Sequence, residues 1–298
     1  MNHRGTICRT SRERGSFELP VSQGCPYNAC AFCNLYKGTR YRELPLEQVE
    51  QFLLRVRDAG GTPKRVMLGE GNAFYMDHDR IMHIIGMIEE YLPSIEEIAS
   101  DASIPAIAAK TDEQLVELAA HGYRMVYVGI ESGLDDVLEY MRKDHDNTQA
   151  HEQLSRLHAA GIDFGAHIMT GVAGAGRGLE NARATAAFLN DTQPAYICNF
   201  SMNIGPLTEL GLWEEDGLFT AADALECLEE ERELVRLLDI QTSFEGYHVA
   251  HDVQAAHEAR EGEFNDFLTR WVHTKGALPA DRARILDMLD TAIAAEQR

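Results

Sequence analysis

The sequence predicts an α/β fold, a partial (β/α)6 TIM-like barrel followed by a mainly helical C-terminal cap. Six short apolar runs alternate with segments of helical periodicity between residue 17 and about residue 203. Such alternation is typical of a parallel sheet, whose right-handed crossovers curl it toward a barrel. The segment is shorter than the ~250 residues of a complete eight-unit barrel. A doubly wound open sheet is the alternative.

The predicted strands are apolar runs bounded by turn residues, and each is followed by a helical pattern. The strands cover residues 17–22, 65–68, 95–99, 125–130, 162–169 and 195–202. The helices cover residues 46–59, 79–91, 111–121, 134–141, 148–160 and 179–189. Glycines follow several of these helices and suit their C-terminal ends.

The pattern changes after Gly205–Pro206. Residues 211–240 contain ten acidic and two basic residues, and their apolar spacing predicts an amphipathic helix with a solvated acidic face. One extended piece is expected at 241–249, and two helices at 253–271 and 279–294. We therefore divide the chain into an N-terminal segment (1–16), a barrel (17–210) and a C-terminal helical cap (211–298).

Composition places the chain among ordinary soluble proteins, with 45% hydrophobic and 25% charged residues. Lys and Arg total 27 against 48 Asp and Glu, a formal net charge of −21. So acidic a protein is a poor partner for nucleic acid or an anionic membrane. No uninterrupted run of ~18 apolar residues is present. The basic, polar N-terminus does not resemble a secretory signal, so we expect a cytoplasmic protein with reduced thiols.

Three of the six cysteines lie close together. Cys25, Cys30 and Cys33 form Cys-x4-Cys-x2-Cys directly after the first predicted strand, on the barrel face where active sites are built. A structural zinc site needs four ligands, and no fourth Cys or His is nearby in sequence. Three thiolates instead suit a [4Fe-4S] cluster with one open iron. A zinc site completed by a distant His is the alternative.

Residues 24–42, GCPYNACAFCNLYKGTRYR, resemble the radical S-adenosylmethionine (SAM) superfamily, in a branch close to the Elp/MiaB/NifB-like grouping. The resemblance runs through Glu131, Gly171 and Pro206 and covers about residues 17–210. It implies that the three cysteines hold a [4Fe-4S] cluster whose open iron binds SAM. One electron then cleaves SAM to methionine and a 5′-deoxyadenosyl radical, which abstracts hydrogen from a substrate. The first cysteine interval is one residue longer than the commonest family spacing.

The resemblance also assigns residues to SAM. Gly69–Glu70 follow the second predicted strand, where the family places a Gly-Gly-Glu-like motif at the amino end of SAM. Glu131 ends the fourth predicted strand and would meet the ribose hydroxyls or the amino group. The expected cofactor-binding set is Phe32, Gly69, Glu70, Glu131, Arg142, His167, Ser201 and Asn203.

Several of these assignments have a structural alternative. Gly69–Glu70 would serve as a simple turn, and Glu131 would accompany a helix N-cap made by Ser132. Arg142 would lie at a solvated helix end, and His167 would be a core histidine.

Two further residues are catalytic candidates. Cys198, in the sixth predicted strand, would donate a hydrogen atom to a substrate radical, or would be a small buried apolar residue. His248 follows Tyr247 in the predicted cap, and both are expected to contact substrate where the cap excludes water from the radical. His248 also lies near His251 and His257, so a metal site is an alternative.

These observations predict a radical SAM enzyme with one [4Fe-4S] cluster that acts on a small molecule. A reducing partner such as flavodoxin or ferredoxin would supply the electron. One alternative is a zinc-stabilised binding protein without catalysis. A second is a radical SAM enzyme that modifies RNA, against which the acidic charge and the lack of a basic domain count.

Overall fold

The computed structural model describes residues 10, 12–205, 207–249 and 271–297. Predictions that concern Cys8, Pro206, His251 and His257 therefore lie outside the described residues. The chain divides into two compact units. The first comprises the described residues up to Gly129 together with Arg142–Gly165, and the second comprises Ile130–Met141 and the described residues from Ala166 onward. The predicted boundaries at residues 16 and 210 stay predictions.

The first unit is built on parallel strands. Its strands are β1 (Phe17–Pro20), β2 (Ser22–Gln23), β3 (Arg42–Glu43), β4 (Arg65–Gly69), β5 (Glu97–Ala102) and β6 (Tyr123–Glu131). β1, β4, β5 and β6 lie side by side in that order, all parallel, whereas β2 and β3 form a separate antiparallel pair. The last two residues of β6 belong to the second unit.

Helices follow the strands of this unit because their sequences carry both an apolar stripe and end signals. They are α1 (Leu46–Asp58), α2 (His78–Tyr91), α3 (Ile104–Ala108), α4 (Asp112–Ala120) and α6 (Asn147–Ala160). Thr111 and Asp146 each make a capping box at the N-terminus of α4 and α6. Gly161 ends α6 in the left-handed conformation. The second unit contributes α5 (Asp135–Tyr140) between β6 and α6.

The second unit continues the strand–helix alternation and then changes direction. Its strands are β7 (Asp163–Thr170), β8 (Tyr196–Ser201), β9 (Thr242–Val249) and β10 (Trp271–Leu278), in that order. The first three residues of β7 belong to the first unit. Its later helices are α7 (Gly178–Thr192), α8 (Glu209–Glu215), α9 (Ala224–Leu237) and α10 (Arg282–Glu296). β9 is parallel to β8 and antiparallel to β10. α9 packs against α7, α10 and β9.

The predicted α/β class is confirmed, and each of the six predicted strands and helices up to residue 203 has a counterpart in the structure. The extended piece expected at 241–249 is strand β9. The helix expected at 253–271 lies outside the described residues except at its end, where Trp271 begins a strand instead. The C-terminal region thus adds strands to the predicted helices. Among the described residues, no helix has the length and apolarity to cross a bilayer.

Candidate active site

The cysteine loop is closed at its base by backbone hydrogen bonds. The N–H of Val21 donates to the carbonyl of Gly69 (2.5 Å), and that of Glu70 donates to the carbonyl of Ser22 (3.0 Å). The Ser22 hydroxyl donates to the Glu70 carbonyl (2.7 Å). The pairing of β2 with β3 then ties the two ends of the loop together. Residues 24–41 therefore leave the sheet as one loop at the carboxyl ends of β1 and β4.

A glycine contact joins this loop to the turn after β4. Gly71 has φ +69°, and a Cβ on it would lie 2.0 Å from the carbonyl oxygen of Gly24. Real Cβ atoms do not approach so closely, so only glycine fits here. The Gly69–Gly71 turn, which carries the predicted SAM contact Glu70, therefore lies in backbone contact with the start of the cysteine loop.

Asn28 organises the longer first interval between cysteines. Its backbone is left-handed (φ +49°), and its N–H donates to the Sγ of Cys25 at 3.4 Å. The Asn28 side-chain amide donates to the carbonyl of Tyr36 (2.8 Å), and Lys37 Nζ donates to the backbone carbonyl of Asn28 (2.9 Å). Asn tolerates the left-handed region better than most residues. The extra residue of Cys-x4-Cys is thus absorbed in a braced turn.

The donor set on this loop fits a [4Fe-4S] cluster. The thiols of Cys25, Cys30 and Cys33 are half-buried, as is Phe32, while Ala31 is fully buried. Among the described residues, no three His, Cys, Asp or Glu side chains converge on a single metal position. A zinc ion needs such convergence, whereas the thiolates of an iron–sulfur cluster bind separate irons. Three thiolates on one short loop are the ligand set of a [4Fe-4S] cluster that leaves one iron open, so the residues present fit that group.

Arg142 is adjacent to the cysteine loop in the first unit. Its carbonyl accepts a hydrogen bond from the Tyr27 hydroxyl (2.7 Å), and its backbone is left-handed (φ +53°). Partial burial, and then the nearby Cys30, raise the pKa of Tyr27, which therefore stays protonated as the donor. The Arg142 side chain is exposed. Its predicted role toward SAM stays a prediction.

Glu131, at the end of β6, belongs to the second unit. It is 9% exposed, has φ +64° and lines a small cavity together with Thr170, Asn181 and Glu230. The alternative that Ser132 caps the next helix is wrong, because α5 has Leu134 at its N-cap and no side-chain cap. The Ser132 hydroxyl donates to Asn181 Oδ1 (2.5 Å) and accepts from the N–H of Leu134 (3.0 Å), the N-cap residue itself.

The side chains of β8 divide between two faces. Tyr196, Cys198 and Phe200 alternate with Ile197, Asn199 and Ser201, so each set shares one face. Cys198 is fully buried opposite Glu245 of β9, to which the Tyr196 hydroxyl donates (2.5 Å). His167 is half-buried and meets Phe200 edge-on, with ring centroids 5.9 Å apart.

Tyr247 and His248 point to opposite faces of β9. Tyr247 stacks between Phe200 (5.5 Å) and His273 (4.5 Å). His248 is 2% exposed, and its Nδ1 lies 2.7 Å from the Ser201 hydroxyl. Its Nε2 lies 2.5 Å from Glu231 of α9, on the helix-packed face. Ser201 is half-buried, whereas the predicted contact Asn203 is exposed.

Two buried glutamates on α9 were missed by the sequence prediction of a wet acidic face. Glu231 is fully buried and accepts hydrogen bonds from Asn199 and Thr274, both at 2.5 Å, in addition to its contact with His248. Burial would raise the pKa of Glu231, but His248 and these donors hold it below its usual value. Burial raises the pKa of Glu230 to about 8, although Gly171 N–H donates to it (2.8 Å).

The second unit also contains a cavity of about 500 Å³. It lies beside the loop after β7 and is lined mainly by apolar and aromatic residues, with an ion pair between Asp136 and Arg177 (2.8 Å) at its edge. Tyr140 and Phe219 form part of its wall, with ring centroids 6.3 Å apart. A cavity of this size matches a small organic molecule.

Solved structures with a similar fold include a protein described as a radical SAM enzyme. Coproporphyrinogen III oxidase (HemN) from Escherichia coli aligns over 75% of this chain and 52% of its own, with TM-score 0.58 and 14% identity. Elp3 from the archaeon Methanocaldococcus infernus aligns over 76% and 55% (TM-score 0.52, 13% identity). The hydrogenase maturase HydG from Carboxydothermus hydrogenoformans aligns over 75% and 52% (TM-score 0.51, 17% identity). At these identities the likeness shows the fold.

The chain spans about half the length of these three proteins. No curated protein sequence matches it significantly. The family model described as "Radical SAM superfamily" matches residues 19–187, which include the cysteine loop, the Gly69–Gly71 turn and Glu131. Because this match covers more than half of the chain, the protein belongs to the radical SAM superfamily of enzymes.

Proposed function

We propose that Cys25, Cys30 and Cys33 bind a [4Fe-4S] cluster whose open iron takes SAM, and that the enzyme acts on a small molecule. The braced cysteine loop, closed by β2 and β3 and packed against Gly71, carries this proposal. When bound, the cluster supplies the electron that cleaves SAM reductively to a hydrogen-abstracting 5′-deoxyadenosyl radical. The protein then has to hold the three thiolates, orient SAM and exclude water.

Residues of the first unit are proposed to bind iron and to contact SAM. The three thiolates of the loop bind iron, and the N–H of Asn28 donates to the Sγ of Cys25, where it would stabilise negative charge on the sulfur. The Gly69–Gly71 turn carries the carboxylate of Glu70 at the same end of the sheet, a suitable partner for the ammonium group of SAM. Phe32 and Arg142 complete the proposed SAM contacts of this unit.

Residues of the second unit are proposed SAM or substrate contacts at the ends of its strands. Glu131, Ser201 and Asn203 each lie at or just beyond the carboxyl end of a strand, the edge at which α/β proteins bind ligands. His167 on β7 contacts Phe200, which lies on the opposite face of β8 from Ser201. Cys198 is fully enclosed, so a role as hydrogen-atom donor requires a substrate radical to reach the interior of this unit.

A small-molecule substrate is favoured over RNA by two observations. The cavity of about 500 Å³ lies in the range of small-ligand sites. The net charge of −21 opposes the accumulation of phosphate groups on the surface. A soluble one-electron donor such as flavodoxin or ferredoxin is the proposed reductant.

The proposal is tested by iron analysis and by SAM cleavage under dithionite. Anaerobically reconstituted protein should contain about four irons, absorb near 400 nm and release 5′-deoxyadenosine. Alanine at Cys25, Cys30 or Cys33 should abolish cleavage and most iron. Cys227→Ala, which removes a buried thiol of the second unit, is the matched control and should keep both. One tightly held zinc and no cleavage by the parent protein would contradict the proposal.

A further inference from the structure

The cysteine loop differs in charge from the rest of the chain. No acidic residue lies between Glu18 and Glu43, whereas Lys37, Arg40 and Arg42 are basic. The whole chain carries a net charge of −21, so this segment is a local reversal of sign. All three basic side chains are exposed. A positive surface therefore covers the loop that carries the three cysteines.

The same loop exposes apolar side chains. Tyr27 is 37% exposed and Leu35 is 39% exposed, and each lies within two residues of a cysteine. The Tyr27–Arg142 hydrogen bond brings a further exposed basic residue to this surface. Exposed apolar side chains together with charged ones are typical of protein–protein interfaces. We call the set Tyr27, Leu35, Lys37, Arg40 and Arg142 the basic loop surface.

We propose that the basic loop surface is the docking site of an acidic one-electron-transfer protein that reduces the cluster. The inference rests on the proposed function, since it needs a cluster on this loop. One electron leaves the reduced donor, which is oxidised, and enters the cluster, which is reduced; no bond forms or breaks. The donor's surface is expected to be acidic, because positive charge on this loop steers negative partners toward it, whereas the chain as a whole carries a net charge of −21.

The charges and area point to a transient protein complex. Electron-transfer complexes bury less than ~1,200 Å², and two exposed apolar side chains with a few exposed charges on the same loop match that class. RNA is the competing polyanion, but stable RNA binding needs many phosphate contacts, and the net charge opposes them beyond this loop. The structure thus favours a small acidic protein.

The test measures binding apart from turnover. Oxidised flavodoxin, followed by its flavin fluorescence anisotropy, is titrated with cluster-loaded enzyme at about 50 mM and about 500 mM salt. Arg40→Glu reverses one exposed charge of the surface and should weaken binding roughly tenfold at low salt, with little effect at high salt. Arg55→Glu reverses an exposed charge at the end of α1 and is the matched control; it should change binding less than about twofold.

Stopped-flow reduction of the cluster gives a second readout. Reduced flavodoxin should reduce the cluster of Arg40→Glu more slowly, in parallel with the loss of binding, while dithionite-driven SAM cleavage equals that of the parent. Leu35→Ser should weaken flavodoxin binding at both salt concentrations, because it removes apolar contact area.

Each contrary outcome has a distinct meaning. Unchanged flavodoxin binding in Arg40→Glu overturns the docking site, as does an equal loss in Arg55→Glu. An equal loss of dithionite-driven cleavage also overturns it, because the charge would then act on the site itself. Loss of RNA binding in Arg40→Glu with flavodoxin binding intact would assign the surface to RNA. Failure of the parent protein to cleave SAM with dithionite would instead refute the proposed function.

Discussion

Gly71→Ala should disconnect the turn after β4 from the cysteine loop. The new Cβ would lie 2.0 Å from the Gly24 carbonyl oxygen, where an ordinary C···O contact is about 3.3 Å or more. The backbone must therefore shift by about 1 Å at the point where the loop begins. Overpacking of this kind costs about 1–3 kcal/mol, and φ +69° adds about 1 kcal/mol for any residue with a Cβ.

The expected cost to the first unit is therefore about 3 kcal/mol, which corresponds to a fall in melting temperature of about 6–12 °C. Iron content after reconstitution should fall by more than half, because Cys25 directly follows the displaced Gly24. Thermal unfolding and iron analysis measure the two effects separately.

Gly38→Ala provides the control within the same loop. Gly38 has φ +76°, but nothing lies within 4 Å of a Cβ placed on it. This variant therefore carries the backbone strain without the clash, and should lose about 1 kcal/mol while binding iron normally. Equal melting temperatures and equal iron contents for the two variants would refute the idea that the Gly71–Gly24 contact positions the loop.

Three further predictions concern braced or buried polar groups. Glycine adopts the left-handed backbone of Asn28 without steric cost, whereas alanine does not. Asn28→Gly should therefore retain more iron than Asn28→Ala in a parallel reconstitution. Burial raises the pKa of Glu230 to about 8, so the folded protein keeps a proton that the unfolded chain loses above its ordinary pKa. Stability should accordingly fall by a few kcal/mol as pH rises from about 5 to 8, and urea titrations of Glu230→Gln should lack this fall. Burial lowers the pKa of Lys110 to about 8, so the folded protein loses a proton that the unfolded chain keeps, and stability should rise between about pH 8 and 10. Lys110→Met should show a flat profile across that interval; the same rise in the variant would assign it to another group.

Local sequence signals predicted most of the strands and helices. The capping residues Thr111 and Asp146 and the terminal Gly161 mark helix ends through contacts within a few residues, which the sequence displays directly. β10 could not be found in this way. Its strand conformation comes from antiparallel pairing with β9, in which Leu278 lies opposite Thr242, and that contact joins distant parts of the chain.

The spacing of Glu230 and Glu231 from apolar residues indicates that both are buried, although the high count of acidic residues in this segment favoured an exposed face. Glu230 lies four residues before Leu234, and Glu231 lies three after Leu228 and four before Val235, all buried. Residues at these spacings share one face of a helix. Both glutamates therefore belong to the apolar stripe of α9. Hydrogen-bond donors from other elements make their burial tolerable, and those partners are not visible in the sequence.

For the cysteine loop, the sequence indicated the candidate ligands but not the geometry of the loop. Spacing alone indicated which thiols are the proposed cluster ligands, but not how the longer first interval is accommodated. That depends on a left-handed Asn28 whose side chain reaches Tyr36, and on a glycine from another turn. Each contact lies within the first unit. The loop is therefore specified jointly by its own sequence and by the end of β4.

The sequence predicts that Tyr247 and His248 both contact substrate, but their side chains point to opposite faces of β9. Successive residues of a strand face opposite sides, so one substrate molecule on one face of β9 cannot contact both side chains directly. Tyr247 shares its face with Phe200 and His273 and is the direct candidate. His248 is enclosed by Glu231 and Ser201, so it reaches a ligand only through the Ser201 hydroxyl that it holds. A contribution of His248 to catalysis is then one of positioning, and it should vanish in a Ser201→Ala background.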